Sequence, residues 1–70
     1  MSIESAIERA ANELPPGCEL RICVENGAGY VEGYDSGGYL LAIESADRSI
    51  EEQIIDGLEE AKDIESLNVE

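Results

Sequence analysis

Carboxylates crowd the last predicted helix of the chain. The set comprises Glu51, Glu52, Asp56, Glu59, Glu60 and Asp63. Most of them recur at steps of three and four residues, which aligns side chains along one side of a helix at intervals of about 5–6 Å. That interval is close to the step between phosphates along a nucleic-acid strand. These six residues, here called the acidic stripe, could therefore fit a Lys/Arg groove that binds nucleic acid.

The whole chain shares the sign of this helix. The chain contains 17 Asp and Glu residues but only four Lys and Arg residues, which gives a formal charge of −13. Such a one-sign field makes a folded chain repel itself while it attracts cationic partners. Lys62 is the one cation within the acidic stripe's helix, so we expect relief of the repulsion to come from a partner. Two alternatives stay open: the stripe is a solvated helix face, or it is an adaptation to high salt.

A second candidate surface is formed by two tyrosines. Tyr30 and Tyr34 alternate with Val31 and Gly33 in a predicted strand, and we expect them on its outer face near Leu40. Tyrosine supplies a rigid, amphipathic contact of the kind enriched at the centres of interfaces. The alternative is that the two rings only cover a small sheet.

The residue types argue against an enzyme. The chain has no histidine to act as a base near neutral pH and only two cysteines, so we also expect no metal and no other cofactor. Paired carboxylates are plentiful, but glycoside chemistry requires a concave site that 70 residues rarely build. Gly27-Ala28-Gly29 leads into a predicted strand rather than a helix, which indicates a hairpin turn and not a phosphate-binding loop.

The cysteines and the apolar pattern bear on location. Cys18 and Cys23 lie in one predicted strand, roughly 16 Å apart and on opposite faces, which is too far for a disulfide. Free thiols favour a reducing cytoplasm. We find neither a signal-peptide pattern nor an apolar run of about 20 residues that could cross a bilayer. We therefore expect a soluble, cytoplasmic protein, located in the host cell if it is viral.

The first half of the chain predicts a helix and a hairpin. Apolar residues recur at helical spacing over residues 3–14, with Ser2 as the N-cap and Pro15-Pro16-Gly17 as the stop. Residues 18–25 then alternate with period two, as a half-buried strand does. Asn26-Gly27 favours a tight hairpin into a second strand over residues 30–35.

The second half predicts a further strand and a helix. A turn at residues 35–38 leads to a third strand over residues 39–45, with Tyr39, Leu41 and Ile43 on one face. Ser49 and Glu52 have the spacing of a capping box at the start of a helix over residues 50–63. Residues 64–70 either extend this helix or fray, and we expect a ragged end near Leu67.

These elements predict an α+β fold in two layers over a single domain of residues 1–70. The order is helix, three strands, helix, with both helices packed on one face of a three-stranded antiparallel sheet. Val31 and Gly33 should face the helices, since glycine permits a close approach. So small a core gains from burying another face, and we expect either a monomer or a homodimer.

The order and length of these elements resemble a double-stranded RNA-binding domain over the whole chain. That family grips phosphates with a lysine cluster at the start of its second helix, where this chain has Ser49-Ile50-Glu51-Glu52-Gln53. RNA binding is therefore not implied. In size and charge the chain also resembles the small acidic anti-CRISPR proteins of phages, several of which imitate DNA.

The anti-CRISPR resemblance implies a small inhibitor that blocks a host defence complex. Together with the acidic stripe, it predicts a non-enzymatic protein that binds a basic, nucleic-acid-binding protein surface and blocks target binding, with no contact to nucleic acid or membrane. The alternative is a small acidic adaptor or self-associating structural domain without nucleic-acid mimicry. Charge reversal in the stripe distinguishes the two.

Overall fold

The computed structural model describes residues 2–44 and 46–67. Two helices and two strands follow in the order α1 (Ile3–Glu13), β1 (Glu19–Glu25), β2 (Ala28–Tyr34) and α2 (Ile50–Leu67). The predicted end of the third strand at residue 45 and the predicted frayed tail after residue 67 lie outside the described residues. None of the helices in the described ranges is long and apolar enough to cross a bilayer.

Local hydrogen bonds start both helices as the sequence predicts, whereas α2 extends beyond the predicted residue 63 to Leu67. The Ser2 hydroxyl accepts the N–H of Ser5 at 3.1 Å and caps α1. At α2 the capping box is complete: the Ser49 hydroxyl accepts the Glu52 N–H at 3.2 Å, and the Glu52 carboxylate accepts the Ser49 N–H at 3.0 Å. These bonds satisfy donors that a first helical turn leaves without partners.

The sheet is a two-stranded antiparallel hairpin, so the predicted three-stranded sheet is wrong. β1 and β2 pair from Glu19 opposite Tyr34 to Glu25 opposite Ala28, with Gly27 in the turn at a φ of +88°. Beyond β2 a single bridge joins Tyr34 to Leu40, and the Leu41 N–H donates to the Gly33 carbonyl at 2.7 Å. The pairing stops there.

The third segment packs instead of extending the ladder. Leu41 is buried, and Ile43 is half-buried against two glycines, Gly33 of β2 and Gly57 of α2. A Cβ atom on Gly33 would lie 2.8 Å from Leu20 and Leu41, and one on Gly57 would lie 2.7 Å from Leu20. These side chains fill the space between sheet and helix, which explains why residues 41–44 leave the strand path.

The core lies between α2 and the inner face of the hairpin. Val31 and Gly33 face inward, as predicted, and on α2 the predicted apolar stripe buries Ile54, Leu58 and Ala61. The predicted placement of both helices directly on the sheet is also wrong. No Cα atom of α1 comes within 8 Å of a Cα atom of either strand, and α1 packs on α2. Its small residues make that contact, because Ala6 and Ala10 are buried while Ile3 and Ile7 remain exposed.

Candidate functional site

The acidic stripe divides into two groups along α2. Near the start of the helix, Glu51 and Glu52 line a shallow depression with Arg48, Ser49 and Asp56. Farther along, the helix and the segment before it form the walls of a second depression, here called the acidic groove. It is lined by Ala42, Glu44, Asp56, Glu59, Glu60 and Asp63.

Two members of the stripe near the start of α2, Glu52 and Asp56, are already engaged by the fold. Glu52 accepts the Ser49 N–H in the capping box, and this hydrogen bond lowers the pKa of its carboxyl below the ordinary value of 4.5. Asp56 forms an ion pair with Arg48 at 2.9 Å. Two of the six predicted residues therefore have partners within the chain, which reduces the share of the stripe that is free for another macromolecule.

Apart from Asp56, the carboxylates that line the acidic groove have no cationic partner in the described residues. In the described residues, each of the four Arg and Lys side chains has a carboxylate partner: Arg9 and Lys62 bind Glu13, Arg21 binds Glu19, and Arg48 binds Asp56. Within those residues no cation lies within 4 Å of Glu44, Glu59, Glu60 or Asp63.

Lys62 does not neutralise the stripe of its own helix. Its ammonium group binds Glu13 of α1 instead, and this hydrogen bond is the main reason that the pKa of Glu13 is lowered. The lysine therefore joins the two helices. Sequence spacing alone could not assign this partner, since Glu13 lies on a different element.

Glu44 is a site residue that was not among the predicted contacts. It belongs to the segment after the Tyr34–Leu40 bridge, which passes beside α2 and places a carboxylate across the groove from the helix. The signal available in the sequence was only its sign. Its position depends on the end of backbone pairing after the Tyr34–Leu40 bridge.

The tyrosines lie on another face of the molecule. Tyr30 and Tyr34 alternate along β2 with Val31 and Gly33, which are buried toward α2, so the rings point away from that helix. Tyr30 donates to Glu25 at 3.3 Å, and the negative charge of that carboxylate raises the pKa of the phenol. Arg21 stacks over Tyr34 at 5.2 Å from the ring centroid. The structure thus does not join the two predicted contact surfaces.

The two cysteine thiols have low reactivity in this structure. Cys18 and Cys23 are free thiols, as predicted, and burial is the first cause that raises the pKa of each. A thiol with a raised pKa holds little of the reactive thiolate at neutral pH. Among residues 2–44 and 46–67, no cluster of three or more Cys, Asp or Glu side chains is arranged to hold a metal ion.

Sequence reasoning missed a buried amide at the base of α2. Gln53 is 2% exposed, accepts the Val31 N–H at 2.9 Å and donates to the Arg48 carbonyl at 3.1 Å. Its side chain therefore joins β2, α2 and the loop that carries Arg48. The sequence held one signal, a polar residue at a position between Ile50 and Ile54 on the apolar side of the helix.

Comparison of the chain with protein-family models, with curated proteins and with solved structures found no match.

Proposed function

We propose that the protein is a small, non-enzymatic inhibitor encoded by a phage or another mobile element. It binds a basic, nucleic-acid-binding surface of a host defence complex and blocks the binding of that complex to its target. The observation that carries the proposal is the acidic groove, where four carboxylates without a cationic partner in the described residues line one depression.

The geometry of the groove supports recognition of a basic protein surface. Asp63 lies four residues after Glu59 and three residues after Glu60, so its side chain neighbours each of theirs at about 5–6 Å, and Glu44 adds a charge from the opposite wall. Guanidinium and ammonium groups that bind phosphates bind carboxylates with the same charge-assisted hydrogen bonds. A helix fixes the backbone that carries these carboxylates, so no backbone ordering is required when a partner binds.

The groove, rather than the whole stripe, is the proposed contact. Glu52 and Asp56 already satisfy the capping box and Arg48, so a partner gains less from them. Tyr30 and Tyr34 point away from α2, and one flat surface cannot cover both them and the groove. We therefore assign the tyrosines no part in the primary contact.

Charge reversal in the groove tests the proposal. A tagged chain carrying Glu59→Lys and Asp63→Lys should lose the capture of its partner from a bacterial lysate, whereas the unchanged chain should release that partner in duplex DNA or high salt. Both positions are exposed, so the substitutions should leave the fold intact, as circular dichroism can check. The matched control carries Glu4→Lys and Glu8→Lys, which change the net charge equally on the exposed side of α1.

The contrast between the two double variants decides the outcome. Loss of capture by the groove variant alone, with release by duplex DNA, supports the inhibitor. Equal loss in both variants would mean that net charge and not the groove attracts the partner. Unchanged capture by the groove variant, or capture that does not respond to salt, would refute the proposal and favour an adaptor role.

A further inference from the structure

The outer edge of β1 presents a row of backbone groups toward solvent. The Gly33 carbonyl binds Leu41, so the backbone groups of Gly33 point away from β1. In an antiparallel ladder the facing residues alternate between pairs that bond each other and pairs that both point outward. Leu20 is the residue opposite Gly33, and by the same alternation Leu20, Ile22 and Val24 direct their N–H and C=O groups to the open edge.

This edge carries only part of the usual protection against pairing. Natural edge strands are kept short, carry charged side chains or Pro, or are covered by another element. β1 is seven residues long and contains neither Lys nor Pro, and its charged residues Glu19, Arg21 and Glu25 all lie on the outer face. The far edge of the sheet is covered at Tyr34 by Leu40, whereas in the described residues no hydrogen bond from another element reaches the backbone of Leu20, Ile22 or Val24.

Apolar side chains flank the open edge. Val24 is 82% exposed and Ile22 is 43% exposed, although both lie on the inner face of the hairpin. Because α1 stands away from the strands, an apolar groove runs between them, lined by Ile7, Ala10, Ala11, Leu14, Leu20 and Ile22. Ile7 is 44% exposed at its rim. An exposed strand edge beside an apolar groove is a surface that another strand can complete.

We propose that a second copy of this chain occupies this surface through antiparallel pairing of the two β1 strands about Cys23. The two hairpins then form one four-stranded sheet with a two-fold axis at its centre. Ile22 lies opposite the partner's Val24, and Arg21 lies opposite the partner's Glu25, with each contact made twice by symmetry. Cys23 lies opposite the partner's Cys23.

The charges of β1 select this register. A pairing centred on Ile22 would use the same outward backbone groups, but it would place Glu19 opposite the partner's Glu25. Like charges directly opposite each other destabilise a strand pair, whereas opposite charges stabilise it. The register about Cys23 instead places the one cation of β1, Arg21, opposite the partner's Glu25 on each side of the axis, so that Arg21 lies between its own Glu19 and the carboxylate of the second copy.

The dimer leaves the acidic grooves free. Ala42 and Glu44 follow the segment that pairs with β2, on the side of the sheet remote from the open edge of β1. The two interactions also respond oppositely to salt. Each copy carries −13, so screening should strengthen association between copies, while capture of a basic partner should weaken. Dimerisation does not rest on the inhibitor proposal, and either one can fail alone.

The first test is the mass of the purified, untagged chain by light scattering and sedimentation over a range of concentrations. We expect a species of twice the 7.5 kDa chain mass, favoured at about 1 M over about 0.1 M salt, where the Debye length falls from ~10 Å to ~3 Å. A monomer at every concentration and salt would overturn the proposal.

The second test traps the register. Cysteines opposite each other in a non-hydrogen-bonded antiparallel pair have Cα atoms near 4.5 Å apart, within disulfide range. Diamide should therefore link a Cys18→Ser chain into a covalent dimer, the two thiols giving up two electrons and two protons to the reagent. The Cys23→Ser chain, which keeps only Cys18, is the matched control. Equal crosslinking of both variants, or none of the Cys18→Ser chain, would refute the register.

The third test exchanges the charges. In a dimer of the Arg21→Glu chain, the new carboxylate of each copy lies opposite the partner's Glu25, so the repulsion occurs twice. Dimerisation should weaken about tenfold. The double variant with Arg21→Glu and Glu25→Arg should restore the affinity, since the opposite pair is re-formed. Circular dichroism shows whether each variant folds. If a variant does not fold, crosslinking of the Cys18→Ser chain still tests the register. Failure of the folded double variant to regain affinity would contradict the pairing of Arg21 with the partner's Glu25.

Discussion

Replacement of Gln53 by Leu should destabilise the contact between α2 and β2. The amide accepts the N–H of Val31, a residue that is itself buried, and donates to the Arg48 carbonyl. Leucine has a similar volume but no polar atoms. The Val31 N–H would then remain buried without a partner, at a cost of about 1–3 kcal/mol.

That cost is large for a chain of this size. A domain of 70 residues has a free energy of unfolding of roughly 4–10 kcal/mol at the usual value per residue. Each kcal/mol shifts Tm by about 4–8 °C in a domain this small, so we expect Gln53→Leu to lower Tm by about 5–20 °C. Thermal and urea unfolding followed by circular dichroism would measure this change.

A second variant at the same position isolates the hydrogen bonds from side-chain volume. In Gln53→Glu one carboxylate oxygen still accepts the Val31 N–H, but an ionised carboxylate cannot donate to the Arg48 carbonyl. Burial raises the pKa of such a carboxyl, and a rise of about two units corresponds to about 3 kcal/mol. The variant should be close to the parent chain below about pH 4, the ordinary pKa of Glu, and lose stability as the pH rises through the raised folded value.

Each of the two Gln53 variants has an outcome that would refute the role given to the amide. Each variant is compared with the parent chain at the same pH, because the other carboxylates of the chain change its stability as well. A Gln53→Leu chain with the parent's free energy of unfolding would show that Val31 does not depend on the amide. A Gln53→Glu deficit that stayed constant from pH 4 to pH 8 would contradict the proposed loss of the bond to Arg48.

Two further predictions concern the helix pair and the sheet. Glu13→Gln should lower the free energy of unfolding at pH 7, because it removes the ion pair between Glu13 and Lys62. This deficit should vanish as the pH falls from about 4.5 through the lowered folded pKa of Glu13, because the ion pair exists only while Glu13 is charged. Glu8→Gln on the same helix is the control, and a deficit of the Glu13→Gln chain that persisted at pH 2 would contradict the prediction. Gly33→Ala should cost about 1–3 kcal/mol by urea unfolding, since its Cβ meets two leucine side chains at 2.8 Å. Gly29→Ala, whose nearest atom is at 3.9 Å, should be neutral, and equal effects of the two substitutions would rule out overpacking.

Elements governed by neighbours in the chain were predictable. Ser2 and the Ser49–Glu52 pair cap their helices because the bonded groups lie three residues apart. Asn26-Gly27 closes the hairpin because Gly27 accepts the positive φ of the turn, whereas Asn26 does not adopt a positive φ. The apolar period of α2 likewise identified Ile54 and Leu58 as core residues.

The candidate site was predictable only in part. The sequence identified the acidic residues of α2, but it could not divide them into engaged and free carboxylates. That division depends on where Arg48 and Lys62 find partners, and Lys62 binds Glu13, 49 positions away in the chain. The opposite wall of the groove, at Glu44, exists because Leu41 and Ile43 leave the strand path to pack against Gly33 and Gly57.

The sequence by itself determined the net charge, the helix starts, the hairpin turn and the inner faces of β2 and α2, because these follow from residue type and from interactions over a few positions. Only the tertiary structure decided that the sheet ends at two paired strands, that α1 packs on α2 and leaves Ile7 exposed, and that Gln53 joins β2 to α2. The physical reason is that distant groups compete for the same space and the same hydrogen-bond donors, and such competition is settled only when the chain is folded.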